Sequence, residues 1–97
     1  MSDERIDLAL DYIRNECRVG LTFVDGVERE DFLADRMTQH AVAMSLLIIG
    51  ETVAKIAKAS PDFVATHSEI PWTSIVGTRN RVAHGYYGLD FEVVLDT

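Results

Sequence analysis

The sequence of 97 residues predicts an all-α fold on three observations. Apolar residues recur at helical spacing, both prolines stand where helices would start, and no strand-like alternation is sustained. A chain of this length forms one domain, residues 1–97, which buries roughly two thirds of its unfolded surface and has no room for a second core. With 47% apolar and 26% charged residues, the composition is that of a folded globule rather than a disordered chain.

A first helix is predicted from about Asp3 to Val19. Ile6, Leu10, Ile13 and Cys17 form its apolar stripe, Ser2 or Asp3 caps its start, and Gly20 stands just past its end. Leu21 to Asp31 then read as a connector, turning at Asp25-Gly26. From Val27 or Glu28 to about Ala59 one long helix is predicted, bent at its internal Gly50, with Phe32, Leu33, Met37, Ala41, Met44 and Ile48 near helical spacing. Its middle, Val42 to Ile49, is apolar around most of its circumference. That marks either the central helix of a bundle or a subunit contact. Ser60-Pro61-Asp62 ends this helix and starts a short one through Phe63 to Ala65. Ile70-Pro71-Trp72 starts another, with Trp72, Ile75, Val76 and Val82 on its apolar side. The last segment turns at Gly85 and restarts as helix after Asp90, using Phe91, Val94 and Leu95.

Several function classes are set aside by composition. The single cysteine, Cys17, has no internal partner and is expected to be a buried thiol, and no Cys/His pair has zinc-site spacing. The acidic start lacks the pattern of a secretory signal, and the apolar run from Ala41 to Gly50 falls short of the ~20 residues a bilayer needs, so a cytoplasmic protein without a membrane partner is expected. A net charge of -7 opposes broad attraction to nucleic acid, so any phosphate partner has to be held by a local cluster.

Such a cluster lies between Trp72 and Tyr87, where Arg79, Arg81, His84, Tyr86 and Tyr87 gather in an otherwise acidic chain. Arginine offers a planar fork of donors to phosphate oxygens. Histidine moves protons near neutrality, and a phenol donates to a further oxygen. These are groups that suit cleavage of a phosphodiester without metal, which needs a base for the 2′-hydroxyl, a cation for the charge on phosphorus and an acid for the leaving oxygen. On an unbroken helix, Arg79 and His84 point about 140° apart. Either the helix loosens before Gly85, or a second subunit related by a two-fold axis completes the site, and the second arrangement is favoured because it brings two arginines and two histidines to one cleft.

Arg79-Asn80-Arg81-Val82-Ala83-His84-Gly85-Tyr86 resembles the Arg-x4-His-x-Tyr signature of the HEPN superfamily, and the chain is similar to its HepT-like branch. Ile49-Gly50-Glu51, Ile70-Pro71-Trp72 and Ile75-Val76-Gly77 follow that branch in order and spacing, over roughly Ile6 to Asp90. The resemblance implies an antiparallel helical bundle with a shortened C-terminal helical segment, and a homodimer or higher oligomer. It also implies a metal-independent endoribonuclease without cofactor, acting as the toxin of a type VII-like toxin–antitoxin pair. Arg79 and His84 are then the catalytic pair. Tyr86 assists and accepts AMP from a minimal nucleotidyltransferase antitoxin. The rival is a non-catalytic helical module that binds a nucleotide or docks on a nucleotidyltransferase.

Of the remaining polar residues, Glu51 reads either as an orienting partner for Arg79 or His84 or as the wet strip of its helix. Asn80 reads as a substrate contact or a backbone brace, and Arg81 as a solvated charge, an ion-pair partner or a phosphate contact. Trp72 is expected to anchor the core with its indole N–H bonded. Met37 and Met44 are expected to fill the core, with His40 and His67 as ordinary surface or boundary residues.

Overall fold

The computed structural model describes residues 2–85 together with Phe91 and Val94. Among the described residues five helices follow one another: α1 (Asp3–Val24), α2 (Arg29–Ala34), α3 (Arg36–Ala59), α4 (Pro61–Thr66) and α5 (Trp72–Gly85). The fold is all-α, as the sequence predicts.

Ser2 caps α1, its hydroxyl accepting from the Arg5 N–H at 3.3 Å, with Asp3 and Glu4 in the first turn. The helix does not stop at Gly20. That glycine lies against α3, where a Cβ would stand 3.2 Å from Ser45 Cβ, so its bare backbone serves close packing rather than termination. One turn earlier, Glu16 accepts a hydrogen bond at 3.0 Å from the buried Ser45 hydroxyl. The chain turns only at Asp25-Gly26, where Gly26 takes the left-handed φ of 73°. Glu16 and Gly20, not Cys17, carry this contact with α3, and Cys17 is therefore exposed rather than buried.

The long helix expected from Val27 or Glu28 to Ala59 is broken at Asp35, whose backbone is extended at φ -107° and ψ 100°. Its carboxylate accepts from the Met37 N–H at 3.0 Å, the Thr38 N–H at 3.3 Å and the Thr38 hydroxyl at 2.7 Å. Capping a new helix thus wins over continuing the old one. Gln39 secures the join, its amide donating to the Phe32 and Leu33 carbonyls at 3.0 Å each. Hydrogen bonds from the Thr38 side chain and from its backbone hold the Asp35 carboxyl below its ordinary value of 3.8. The stabilisation this cap supplies is complete above that ordinary value and lost as pH falls through the lower folded one. Asp35→Asn, which keeps one acceptor without the charge, is expected to flatten the acid limb of a thermal-stability profile below pH 3.8.

α3 is the central helix and packs on all four others, most extensively on α5 and α1. It runs antiparallel to α1, since Gly20 meets Ser45 while Asp3 and Ile6 lie beside Ala59 and Ser60. By length and composition alone it is the one helix among the described residues that could cross a membrane; here it is the core of a bundle. α4 opens on Pro61, and His67 closes it, donating from its backbone to Phe63 and stacking on that ring at 4.3 Å. Trp72 starts α5 as a buried anchor, its indole N–H donating to the His67 carbonyl at 2.9 Å, as expected. His40 is exposed and His67 half-buried.

Ile6, Phe32, Ala43, Val53, Ile56, Trp72 and Val82 form the core. Met37 and Met44 do not join it, being 80% and 55% exposed. Seven positions apart, they share one stripe of α3, and in a single chain that stripe stays open while the Ser45 and Gly50 sides meet α1 and α5. Leu8, Tyr12 and Leu21 add exposed apolar area on α1.

Candidate active site

α3 and α5 pack tightly against each other at Gly50 and Arg79. A Cβ on Gly50 would overlap Arg79 Cβ and stand 2.8 Å from its Cγ and 3.3 Å from its Cα. The absent side chain at position 50 lets the Arg79 stem lie flat on α3. α3 runs through Gly50 as one continuous helix.

Glu51, the next residue, meets the end of that side chain. Its Oε1 lies 3.1 Å from Arg79 Nη1, with the glutamate side chain 50% exposed and the arginine 22%. Glu51 is thus both paired with Arg79 and exposed on its helix, so neither reading of it excludes the other. Arg79 Nε is shielded from solvent and has no acceptor among the described residues. Among the described residues, the guanidinium is held by its stem and one ion pair, with part of its donor fork unspent.

His84 lies five residues further along α5 and is exposed. α5 continues as α-helix through Gly85, so the loosening that would bring His84 round to Arg79 does not occur. The two side chains leave the helix about 140° apart. One chain therefore presents the guanidinium on its α3 side and the imidazole on another. Asn80 is exposed and its amide has no hydrogen bond among the described residues, so a backbone brace is not seen there. Arg81 is exposed and has no ion pair among the described residues. Tyr86 and Tyr87 lie outside the described residues, as does most of the C-terminal segment expected after Asp90.

A surface hollow of about 430 Å³ between the start of α1 and the α3–α4 junction contains none of Glu51, Arg79 or His84. No group of three or more His, Cys, Asp or Glu side chains is placed to hold a metal ion among the described residues. Sequence reasoning missed the part played by Gly50. The signal was present in Gly50-Glu51, a glycine in the interior of an apolar helix directly before the carboxylate that pairs with Arg79.

A family model described as Ribonuclease HepT-like matches residues 6–97. An RNase-named protein of Caldanaerobacter subterraneus subsp. tengcongensis is 35% identical over 88 residues, covering 91% of this chain and 76% of its own length. "Probable ribonuclease HepT" of Thermococcus cleftensis is 43% identical over 68 residues, covering 70% of this chain and 59% of its own. An RNase-named protein of Methanocaldococcus jannaschii is 32% identical over 76 residues, covering 78% and 60%. The chain thus spans about three fifths of the length of two of these three relatives. No solved structure matches it at a significant level. An all-helical bundle, an arginine set against α3 five residues before a histidine, and a match running from Ile6 to the last residue agree with one another: the chain belongs to the HepT-like ribonuclease family.

Proposed function

We propose that this chain is a metal-independent endoribonuclease that cuts single-stranded or loop RNA as a homodimer. One imidazole takes the proton of a ribose 2′-hydroxyl as its oxygen attacks phosphorus. The bond to the 5′-oxygen breaks, and an imidazolium returns a proton to that leaving oxygen. Arg79 carries the negative charge that gathers on the phosphoryl oxygens, and Tyr86 donates a further hydrogen bond. The observation that carries the reading is the placement of Arg79 and His84 on one unbroken helix, one fixed against α3 and the other exposed. A two-fold mate brings the arginine of one chain and the histidine of the other to a common phosphate. Exposed Leu8, Tyr12, Leu21, Met37 and Met44 supply apolar area for such a contact.

The same reading extends to regulation. The chain acts in the cytoplasm as a toxin of a type VII-like pair, and its antitoxin is a minimal nucleotidyltransferase that silences it by transferring AMP to Tyr86. Support comes from the Arg-x4-His-x-Tyr spacing and the family match. Co-expression with a nucleotidyltransferase encoded beside it is expected to add the mass of one AMP to the wild type and none to Tyr86→Phe.

Incubating purified protein with tRNA or messenger RNA in EDTA tests the chemistry. Wild type is expected to cut, and His84→Ala and Arg79→Ala each to lose about 100-fold or more, the scale of a general acid–base or charge-stabilising group. Light scattering is expected to give twice the 10.8 kDa chain mass. The net charge of -7 favours a second reading, a non-catalytic module that binds a nucleotide or docks on a nucleotidyltransferase. RNA left intact by wild type and by both variants alike would establish that module instead.

A further inference from the structure

We infer that Glu51 is an internal competitor for the Arg79 guanidinium: it holds the place of the substrate phosphate in the free protein and is displaced when a phosphodiester binds. This rests on the ribonuclease reading for the identity of the ligand, and on the α3–α5 contact for everything else.

Four features of that contact point the same way. The pair has one short approach, Nη1 to Oε1 at 3.1 Å, whereas arginine binds oxyanions best through two parallel donors at about 2.7–2.9 Å. Nε, which belongs to one of those two-donor edges, is shielded from water and has no acceptor among the described residues, so that edge of the fork is not taken up by Glu51. The stem of Arg79 is pinned on Gly50, so the guanidinium exchanges partners by turning its terminal torsions, without a shift of α5. Glu51, in contrast, is half exposed, so its carboxylate passes into water on release rather than being stranded.

Charge sets the direction of the effect. A phosphodiester arriving at Arg79 meets the carboxylate of Glu51 beside it, in a chain that already carries a net charge of -7. Two anions then contend for one guanidinium, and each weakens the hold of the other. The consequence for function is a raised threshold: Arg79 is kept positioned and neutralised between encounters, and only a ligand that fills more of its fork than Glu51 does releases it. Glu51 is on this account a positioning and affinity-setting residue, with no contact to the reacting atoms.

Glu51→Gln separates the charge from the contact, because the amide oxygen still accepts from Nη1. Inorganic phosphate, titrated while the Arg79 Nε–Hε signal is followed by NMR, is expected to bind about three- to tenfold more tightly to this variant than to wild type, the scale of one screened like charge. In RNA cleavage the variant is expected to lower KM with kcat held, as removal of ground-state competition requires. A wild-type measurement keeps the inference testable should the variant fold poorly. Adding phosphate is expected to move the Arg79 Nε–Hε signal and, with the same midpoint, the Glu51 carboxylate carbon toward its solvated position.

Unchanged or weaker phosphate binding by Glu51→Gln, or a Glu51 carbon signal that stays put while Arg79 moves, overturns the competition. Cutting by wild type combined with that result leaves the ribonuclease reading standing without it. Tighter phosphate binding by Glu51→Gln with no cutting by any form upholds the competition and removes the ribonuclease reading.

Discussion

Pairing an Arg79→Ala protomer with a His84→Ala protomer is expected to restore RNA cutting to about tenfold or more above either parent, while staying below wild type. The two parents fail for different reasons. One keeps both histidines of the dimer and has no cation at phosphorus, and the other keeps both arginines and has no group to move protons. In a heterodimer isolated through two different affinity tags, one intact guanidinium and one intact imidazole remain, and they belong to different chains. α5 is helical through Gly85, so the two side chains of a single chain leave the helix about 140° apart. Across a two-fold axis the divergence becomes an asset, because each helix then offers its histidine to the arginine of its mate. A heterodimer as inactive as its parents would place both groups of a working site in one chain and remove the dimeric reading of the cleft.

Much of the bundle was legible in the sequence because helices are written in short-range signals. The Ile6–Leu10–Ile13 stripe, the Asp25-Gly26 turn and the two prolines at helix starts each act within one or two turns, and the described residues bear them out. Misreadings arose where the deciding partner was distant or two local rules competed. Gly20 has the composition of a helix stop, and Ser45, 25 positions away, turns it into a packing glycine. Asp35 sits inside a helical apolar pattern, and its carboxylate overrides that pattern by capping Met37 and Thr38. Met37 and Met44 have the period of a buried face, but period says only that residues share a side, not that anything covers it. For the candidate site, chemistry and spacing single out Arg79 and His84. The Arg79–Glu51 pair was one of two open readings of Glu51, and whether it forms depends on the crossing of α3 and α5, which no local signal encodes.

That crossing makes two glycine substitutions move stability in opposite directions. An interior helical glycine ordinarily costs about 0.8–1.0 kcal/mol relative to alanine, so replacing one with alanine stabilises a helix by that much. Gly77, in α5, has open space where a Cβ would go, and Gly77→Ala is expected to gain roughly 0.5–1 kcal/mol. Gly50 faces the Cβ and backbone of Arg79, atoms that cannot turn away, so the added methyl is accommodated only by parting α3 from α5. Overpacking of that kind costs about 1–3 kcal/mol, and more where backbone must move, which outweighs the gain in propensity. Gly50→Ala is therefore expected to lower the melting temperature, and Gly50→Leu to lower it further. A net loss of 1 kcal/mol corresponds to about 4–8 °C in a domain of this size. Calorimetry of the two alanine variants beside wild type reads both signs in one experiment. Cutting by Gly50→Ala, measured well below its melting temperature, is expected to fall although no catalytic atom has been touched, because the Arg79 stem no longer lies on α3 and its guanidinium is misplaced. A Gly50→Ala protein that melts at or above the wild-type temperature would mean that α3 and α5 do not approach as closely as the Arg79–Glu51 pair requires.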